Sequence, residues 1–259
     1  MLTKKLTFDN DVLETIAAME WEETPDGVIG RIVEQLDRNM YQRVNKALDA
    51  MSGKWNRSLK GHLFKEDPRP MLPGFLEEGA LVVEKDGFFE TPAAVVEAMY
   101  DLYPFDTIET PILEPSAGEG AIIKHLMNLK PHTLSCSDFF VVERNEKRRA
   151  RLADMGVHVV GSDFMQYTPP NELFPTIFMN PPFEQGQDVD HVVHAFDNCL
   201  APGGILISVM AAGVKFRSER KYVALRQLID ECGQIVDLPE GSFKASGTGV
   251  NTCLVMLEK

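Results

Sequence analysis

The stretch PILEPSAGEGAIIKHLMNL, residues 111–129, decides the fold. It opens on an apolar run, Pro111–Leu113, passes through a turn, and continues in a helical pattern from Gly120 to Leu129. The turn is Glu114-Pro115-Ser116-Ala117-Gly118-Glu119-Gly120. Its glycines let the backbone approach a ligand closely, and the helix that follows offers unpaired N–H groups at its start. By itself this is also the pattern of an ordinary strand-to-helix turn, so its meaning depends on what lies downstream.

Downstream, strands and helices alternate. Strands are expected at Phe139–Glu143, Val157–Val160, Thr176–Met179, Ile205–Met210, Ile235–Leu238 and Thr252–Leu257, with helices at Glu146–Met155, Val189–Leu200 and Ser218–Cys232. Upstream, Pro92 suits the first turn of a helix that runs on from Ala93 to Tyr100. Alternation in units of this size means an α/β fold, a mostly parallel sheet with helices on both faces. Ligands in such sheets bind at the carboxyl ends of the strands.

Those strand ends carry the candidate chemistry. Glu143 ends the second strand, 25 residues after Gly118, where an acid can accept both hydroxyls of a ribose. Asp163 and Phe164 follow the third, placed to accept from an adenine amine and to cover its ring. Asn180-Pro181-Pro182-Phe183 follows the fourth, directly after Ile177-Phe178-Met179. The two prolines fix the backbone and set a carbonyl, that of Pro181, beside the Asn180 amide oxygen. Two acceptors together hold an NH2 group and localise its lone pair for attack, while the Phe183 ring stacks on a planar substrate.

These residues resemble a known family. Residues 88–259 resemble class I S-adenosylmethionine-dependent methyltransferases of the amino-methylating kind, close to DNA N6-adenine methyltransferases. The resemblance implies a Rossmann-like, seven-stranded, mostly parallel sheet. It makes Glu114, Pro115, Ser116, Ala117, Gly118 and Gly120 the cofactor loop, Glu143 the ribose acid, Asp163 with Phe164 the adenine contact, and Asn180 to Phe183 the catalytic motif. Phe89-Glu90-Thr91-Pro92 resembles the segment before that loop, so Thr91 and Pro92, with Asn180, are expected to help hold the methionine end. This order of motifs resembles the gamma arrangement. It implies S-adenosylmethionine as cofactor, DNA as substrate and an adenine flipped out of the duplex. Adenine in RNA or a protein glutamine is the alternative acceptor, and a non-enzymatic DNA-binding regulator the third reading. Enzymes of the gamma arrangement carry a long target-recognition domain after the core, and here the chain ends at Lys259. Sequence recognition is therefore expected from the N-terminal part, from the loop Gly213–Lys221 or from a partner subunit. No nuclease signature is present, so restriction would need another protein.

The N-terminal third reads differently. Val12, Leu13, Ile16 and Ala17, then Ile29, Ile32, Val33, Leu36 and Met40, recur at helical spacing, with Thr24-Pro25-Asp26-Gly27 between them. A third helical run extends from Tyr41 to Met51. The expectation is a helical extension over 1–65, a linker over 66–87 with one short strand at Leu81–Glu84, and the catalytic domain over 88–259. Parts of the extension, among them Gly53-Lys54-Trp55-Asn56-Arg57, resemble an extension on methyltransferase-like proteins of phages and mobile elements.

Charge is uneven. The net is −13, which taken alone disfavours a nucleic-acid partner, yet Arg38–Lys65 carries +6. Lys215–Arg226 and Arg144–Arg151 carry +4 each. A charge run is commonly a solvated face, but phosphate contacts are expected from Arg38, Arg43, Lys46, Lys54, Arg57, Lys60, Lys215 and Arg217. Trp55 among them is either a base-stacking ring or a core anchor. With 44% hydrophobic and 25% charged residues in 259, collagen-like and disordered classes are excluded. No apolar run is long enough for a membrane span, and MLTKKLTFDNDVLE is not a signal peptide, so cytoplasm is expected. The four cysteines lack a CxxC pair, and His191 and His194 lack a third ligand, so no metal is expected.

Overall fold

The computed structural model describes residues 3–84, 89–246 and 248–259. The chain forms two compact units, Met1–Asp86 and Gly87–Lys259. The expected boundary between residues 87 and 88 falls outside the described residues.

The first unit mixes helices and strands. β1 (Thr3–Thr7) pairs antiparallel with β6 (Ala80–Glu84). Between them lie α1 (Asn10–Ala17), β2 (Glu20–Thr24), β3 (Gly27–Arg31), α2 (Arg38–Ala50), β4 (Lys54–Asn56), β5 (Gly61–Phe64) and α3 (Leu72–Glu78). Strands β2, β3, β5 and β4 form an antiparallel sheet in that order. Val12, Ile16, Val44, Leu48, Phe64 and Phe75 make the core.

Two expectations are corrected here. The wholly helical extension is not observed, because Ile29 sits in β3 while Met40 belongs to α2. Thr24 pairs with Gly27, so Pro25-Asp26 closes a hairpin. Gly27 adopts φ +133°, and a Cβ there would stand 2.1 Å from the Phe64 carbonyl oxygen. The apolar spacing from Ile29 to Met40 imitates a helix, but the turn and its glycines oblige the chain to reverse. The stretch read as a linker is structured too, since Pro70 and Pro73 stand in helical first turns rather than in breaks. Gly79 then ends α3 in the left-handed conformation, φ +60°. The short strand expected at Leu81–Glu84 lies within β6.

The second unit has the expected α/β architecture. Seven strands, β7 (Ile112–Glu114), β8 (Phe139–Val142), β9 (His158–Gly161), β10 (Phe174–Met179), β11 (Leu200–Ala211), β12 (Gly233–Asp237) and β13 (Thr252–Glu258), lie in the order β12-β13-β11-β10-β7-β8-β9. Only β13 runs against its neighbours. The helices are α4 (Ala93–Asp101), α5 (Ala121–Leu129), α6 (Glu146–Asp154), α7 (Gln187–Asn198) and α8 (Arg220–Cys232). Alternating residues serve alternate faces: Phe178, Ile205 and Ile207 pack with α4, α5 and α6, while Ile177, Met179 and Leu206 pack with α7 and α8. Among the described residues no helix is long and apolar enough to cross a membrane. From β7 the connections run outward one way to β8 and β9, and from β10 the other way to β11. The crevice between the ends of β7 and β10 is therefore the switch point of the sheet.

Candidate active site

The loop after β7 is held tightly. Glu114, Pro115, Ala117, Gly118 and Gly120 are buried and Ser116 is half-buried. Gly118 and Gly120 adopt φ +56° and +74°, and a Cβ on Gly120 would crowd Leu152 at 3.2 Å. Glu143 ties this loop to the next strand. Its Oε2 accepts from the Gly118 N–H and its Oε1 from the Asn145 N–H, both at 2.7 Å. A carboxylate has about four lone-pair sites, so Glu143 keeps acceptor capacity. The basic run Arg144–Arg151 frames the same loop. Arg151 pairs with Glu119 at 2.8 Å, and Arg149 donates to the Glu143 carbonyl at 3.0 Å. Sequence reading saw only a charge run there.

Glu114 is the unusual member. It is 2% exposed, and its Oε2 has no hydrogen-bond partner among the described residues. Burial, then the nearby Glu143 charge, pushes its pKa well above the usual carboxylate value, with Lys124 opposing. A buried, unsatisfied carboxyl costs free energy that a cationic ligand group would offset.

Asp163 is exposed after β9, where its carboxylate accepts from the Met165 N–H at 3.1 Å. Phe164 departs from expectation. Its ring is 4% exposed and packs within the core, 4.9 Å from His194 and 5.4 Å from His191. The neighbouring Met165 is the exposed apolar residue, and the apolar Phe-Met pair gave no sign of which would turn outward. His194 bonds the Tyr167 carbonyl at 2.8 Å, and burial holds His191 down to about 4. Among the described residues no group of three or more His, Cys, Asp or Glu side chains could hold a metal.

Asn180 stands at the end of β10. Its Nδ2 donates to the Phe89 carbonyl at 3.1 Å and to Thr91 Oγ1 at 3.0 Å. A carbonyl only accepts, so this pairing fixes which way the amide points. Both amide hydrogens are spent, and Oδ1 has no partner among the described residues. Thr91 is 5% exposed, and Pro92 caps α4. Ser246 Oγ donates to the Glu90 carbonyl at 2.6 Å, steadying the Phe89–Pro92 strap from its other side, a contact no motif announced. Pro181 is buried, while Pro182 and Phe183 are half-buried, and the Phe183 ring rests on the core.

A lysine on α8 holds the loop beyond Phe183. Gln185 and Gly186 adopt φ +55° and +71°. Lys221 Nζ donates to their carbonyls at 3.1 and 2.8 Å and to Asp190 at 2.8 Å. An ammonium has three hydrogens, and all three are used.

The expected phosphate contacts divide. Lys215 pairs with Asp237 at 2.5 Å and Arg217 with the Tyr222 hydroxyl at 2.6 Å. Arg43 is chelated by Asp9 and Asp11 at 2.5 and 2.7 Å. These three stitch the fold. Arg38, Lys46, Lys54, Trp55, Arg57 and Lys60 are exposed on the first unit.

The fold is shared with known proteins. Among curated protein sequences, none matches the chain. Solved structures do. The type I restriction-modification system methyltransferase subunit from Streptococcus thermophilus superposes with a TM-score of 0.55 at 19% identity, over 74% of this chain and 48% of that one. The M protein of the type I restriction enzyme EcoKI superposes with a TM-score of 0.51 at 15% identity, over 87% of this chain and 55% of that one. The chain thus spans about half the length of these structures. The shared fold is that of the class I, S-adenosylmethionine-dependent methyltransferases. The family model of the methyltransferase small domain matches residues 104–239, just over half of the sequence, and the chain belongs to that family.

Proposed function

We propose that the protein methylates the N6 amine of adenine in DNA, using S-adenosylmethionine. One observation carries the reading: Asn180, at the end of β10, spends both amide hydrogens on the Phe89–Thr91 strap, and its Oδ1 has no partner among the described residues. An amine donor fits such an acceptor, whereas a carbon nucleophile has no hydrogen to give it. Two superposing structures are methyltransferase subunits of type I restriction-modification systems, which supports DNA as the polymer and a partner as the source of sequence specificity.

The residues present fit the cofactor. The unsatisfied Glu114 carboxyl suits a cationic group, the glycine turn gives close backbone approach, and Glu143 and exposed Asp163 offer acceptors to hydroxyls and to an amine. When bound, the cofactor supplies an electrophilic methyl group on a sulfonium. Asn180 Oδ1 and the Pro181 carbonyl hold the target NH2, so its lone pair is directed out of the base plane. Phe183 stacks on the base and excludes water from its face. Catalysis rests on positioning and on acceptors matched to the positive charge that develops on nitrogen. A base in duplex DNA must leave the stack to reach them.

The test is single-turnover transfer of labelled methyl to DNA, RNA and peptide, beside a cofactor titration. Asn180→Ala is expected to leave cofactor affinity within a few-fold and to slow transfer by about 100- to 1,000-fold. Transfer at the parent rate, or label on RNA or glutamine but not DNA, removes the proposal.

A further inference from the structure

The first unit presents a second surface with its own chemistry. Trp21, Gly30, His62 and Trp55 form one cross-strand row on a single face of the sheet. Helix α2 lies over this face: Asn45 Oδ1 meets His62 Nε2 at 2.8 Å, and Leu48 shares the core with Phe64. Four strands span about 14 Å between edge axes, whereas a helix with its side chains covers about 10–12 Å. The edge strand β4 therefore leaves its aromatic residue uncovered. Trp21 is absorbed, packing 5.4 Å from Phe64, while Trp55 stays 50% exposed. Of the two roles its sequence context allowed, Trp55 does not take that of core anchor.

What surrounds Trp55 indicates its partner. Its ring lies 5.2 Å from His62, and the exposed Tyr41 of α2 lies 6.5 Å from the same imidazole, so the two exposed rings flank one buried residue. Lys54 and Arg57 bracket Trp55, and Arg38 and Lys46 stand on the helix that carries Tyr41 and Asn45. Unlike Arg43, these four and Lys60 have no ion-pair partner among the described residues. A chain of net charge −13 thus keeps five unpaired cations on α2, β4 and the turn after β4, the segments that carry or adjoin the two exposed rings. By contrast, the groove of about 540 Å³ in this unit is lined by Asp11, Glu14, Glu34, Asp37 and Arg43 and suits no phosphate.

We infer that this surface grips a single-stranded segment of DNA, with an unpaired base stacked on Trp55 beside Tyr41 and the adjoining phosphates on Lys54, Arg57, Lys60, Lys46 and Arg38. An exposed ring reads any base through its π-face and needs that base out of a duplex, while the cations follow the backbone. The choice of DNA over other polyanions rests on the proposed function; the surface itself does not.

The experiment is binding of a fluorescently labelled 12-nucleotide DNA strand to the full chain without S-adenosylmethionine, followed by anisotropy across a salt series. Trp55→Ala should weaken single-strand binding about 5- to 150-fold, the value of one stacked base, and leave the salt slope unchanged. Changing Lys54, Arg57 and Lys60 together to Ala should flatten the slope by about 0.7 per lost contact. On the duplex form of the same DNA, Trp55→Ala should bind as the parent does. Equal loss on strand and duplex, parent-like binding of the strand, tighter binding of RNA of the same sequence, or a dimer that Trp55→Ala dissociates would each overturn the inference. No methyl transfer enters the readout, so failure of the Asn180 experiment leaves this result standing, and the converse holds.

Discussion

Glu114 shows how one side chain couples folding to ligand. Its carboxyl is buried, and its pKa is raised first by burial and then by Glu143. A raised pKa means that folding favours the protonated form. The stabilising contribution is then present below the ordinary value of 4.5 and is lost as pH rises through the raised value. Glu114→Gln does not titrate. The ligand-free variant should melt higher than the parent at neutral pH, with the gap closing toward pH 4 in scanning calorimetry. The same change removes the partner of a cationic group, so S-adenosylmethionine should bind about 10- to 150-fold more weakly. A variant that melts below the parent at pH 7, or binds the cofactor equally well, contradicts this account. At the same scale the place of Asn180 directly after a strand was legible, because the apolar run Ile177-Phe178-Met179 precedes it. Phe164 was not, since two adjacent apolar residues after a turn leave open which one faces inward. Nor were the ion pairs of Arg43 and Lys215, whose partners lie 22 to 34 residues away, or the bond from Arg217 to the Tyr222 hydroxyl.

At the scale of elements, the loop from Phe183 to Gly186 depends on α8. Two consecutive left-handed residues aim their carbonyls at one ammonium, so Lys221 sets where the Phe183 ring sits without touching substrate. Lys221→Met should slow single-turnover transfer about 10- to 100-fold, the cost of a displaced reacting group, with cofactor affinity unchanged. Lys221→Arg should recover part of the rate. Parent-like turnover in the Met variant would assign Lys221 to the surface instead. A second element-scale case is the hairpin β2–β3. Had residues 29–40 been helical, replacing glycines nearby with Ala would stabilise the chain by about 1 kcal/mol each. In the hairpin, Gly27→Ala strains the backbone and drives a methyl into the Phe64 carbonyl, so denaturant unfolding should show a loss of more than about 1 kcal/mol. The sign of that change alone separates the two readings. The catalytic unit was legible because strand and helix alternate and each strand end carries a distinct motif. The first unit was not, because Ile29, Ile32, Val33, Leu36 and Met40 happen to share a period of 3.6 while belonging to a strand, a connection and a helix.

For the whole molecule, charge and chemistry divide between two units. The proposed cofactor residues lie in Gly87–Lys259, framed by Arg148 and Arg151 on Glu119. The exposed Trp55 and Tyr41, with the unpaired cations on their segments, lie in Met1–Asp86. Acids elsewhere bring the net to −13, so phosphate is drawn to the basic runs, of which Arg38–Lys65, at +6, is the strongest. Amide hydrogen exchange with two ligands should reveal this division. S-adenosylmethionine alone should protect amides of residues 114–120 and 143–145, where Gly118 and Asn145 already donate to Glu143. A 12-nucleotide DNA strand alone should protect residues 54–57 and 61–63, the β4–β5 pair that carries Trp55 and His62. Asn180→Ala should leave both patterns intact while slowing transfer about 100- to 1,000-fold, because its amide oxygen is proposed to serve the amine. Protection by the strand confined to residues 180–186 would place all nucleic-acid contact in the catalytic unit, and the exposed ring on the edge strand would have no part in it.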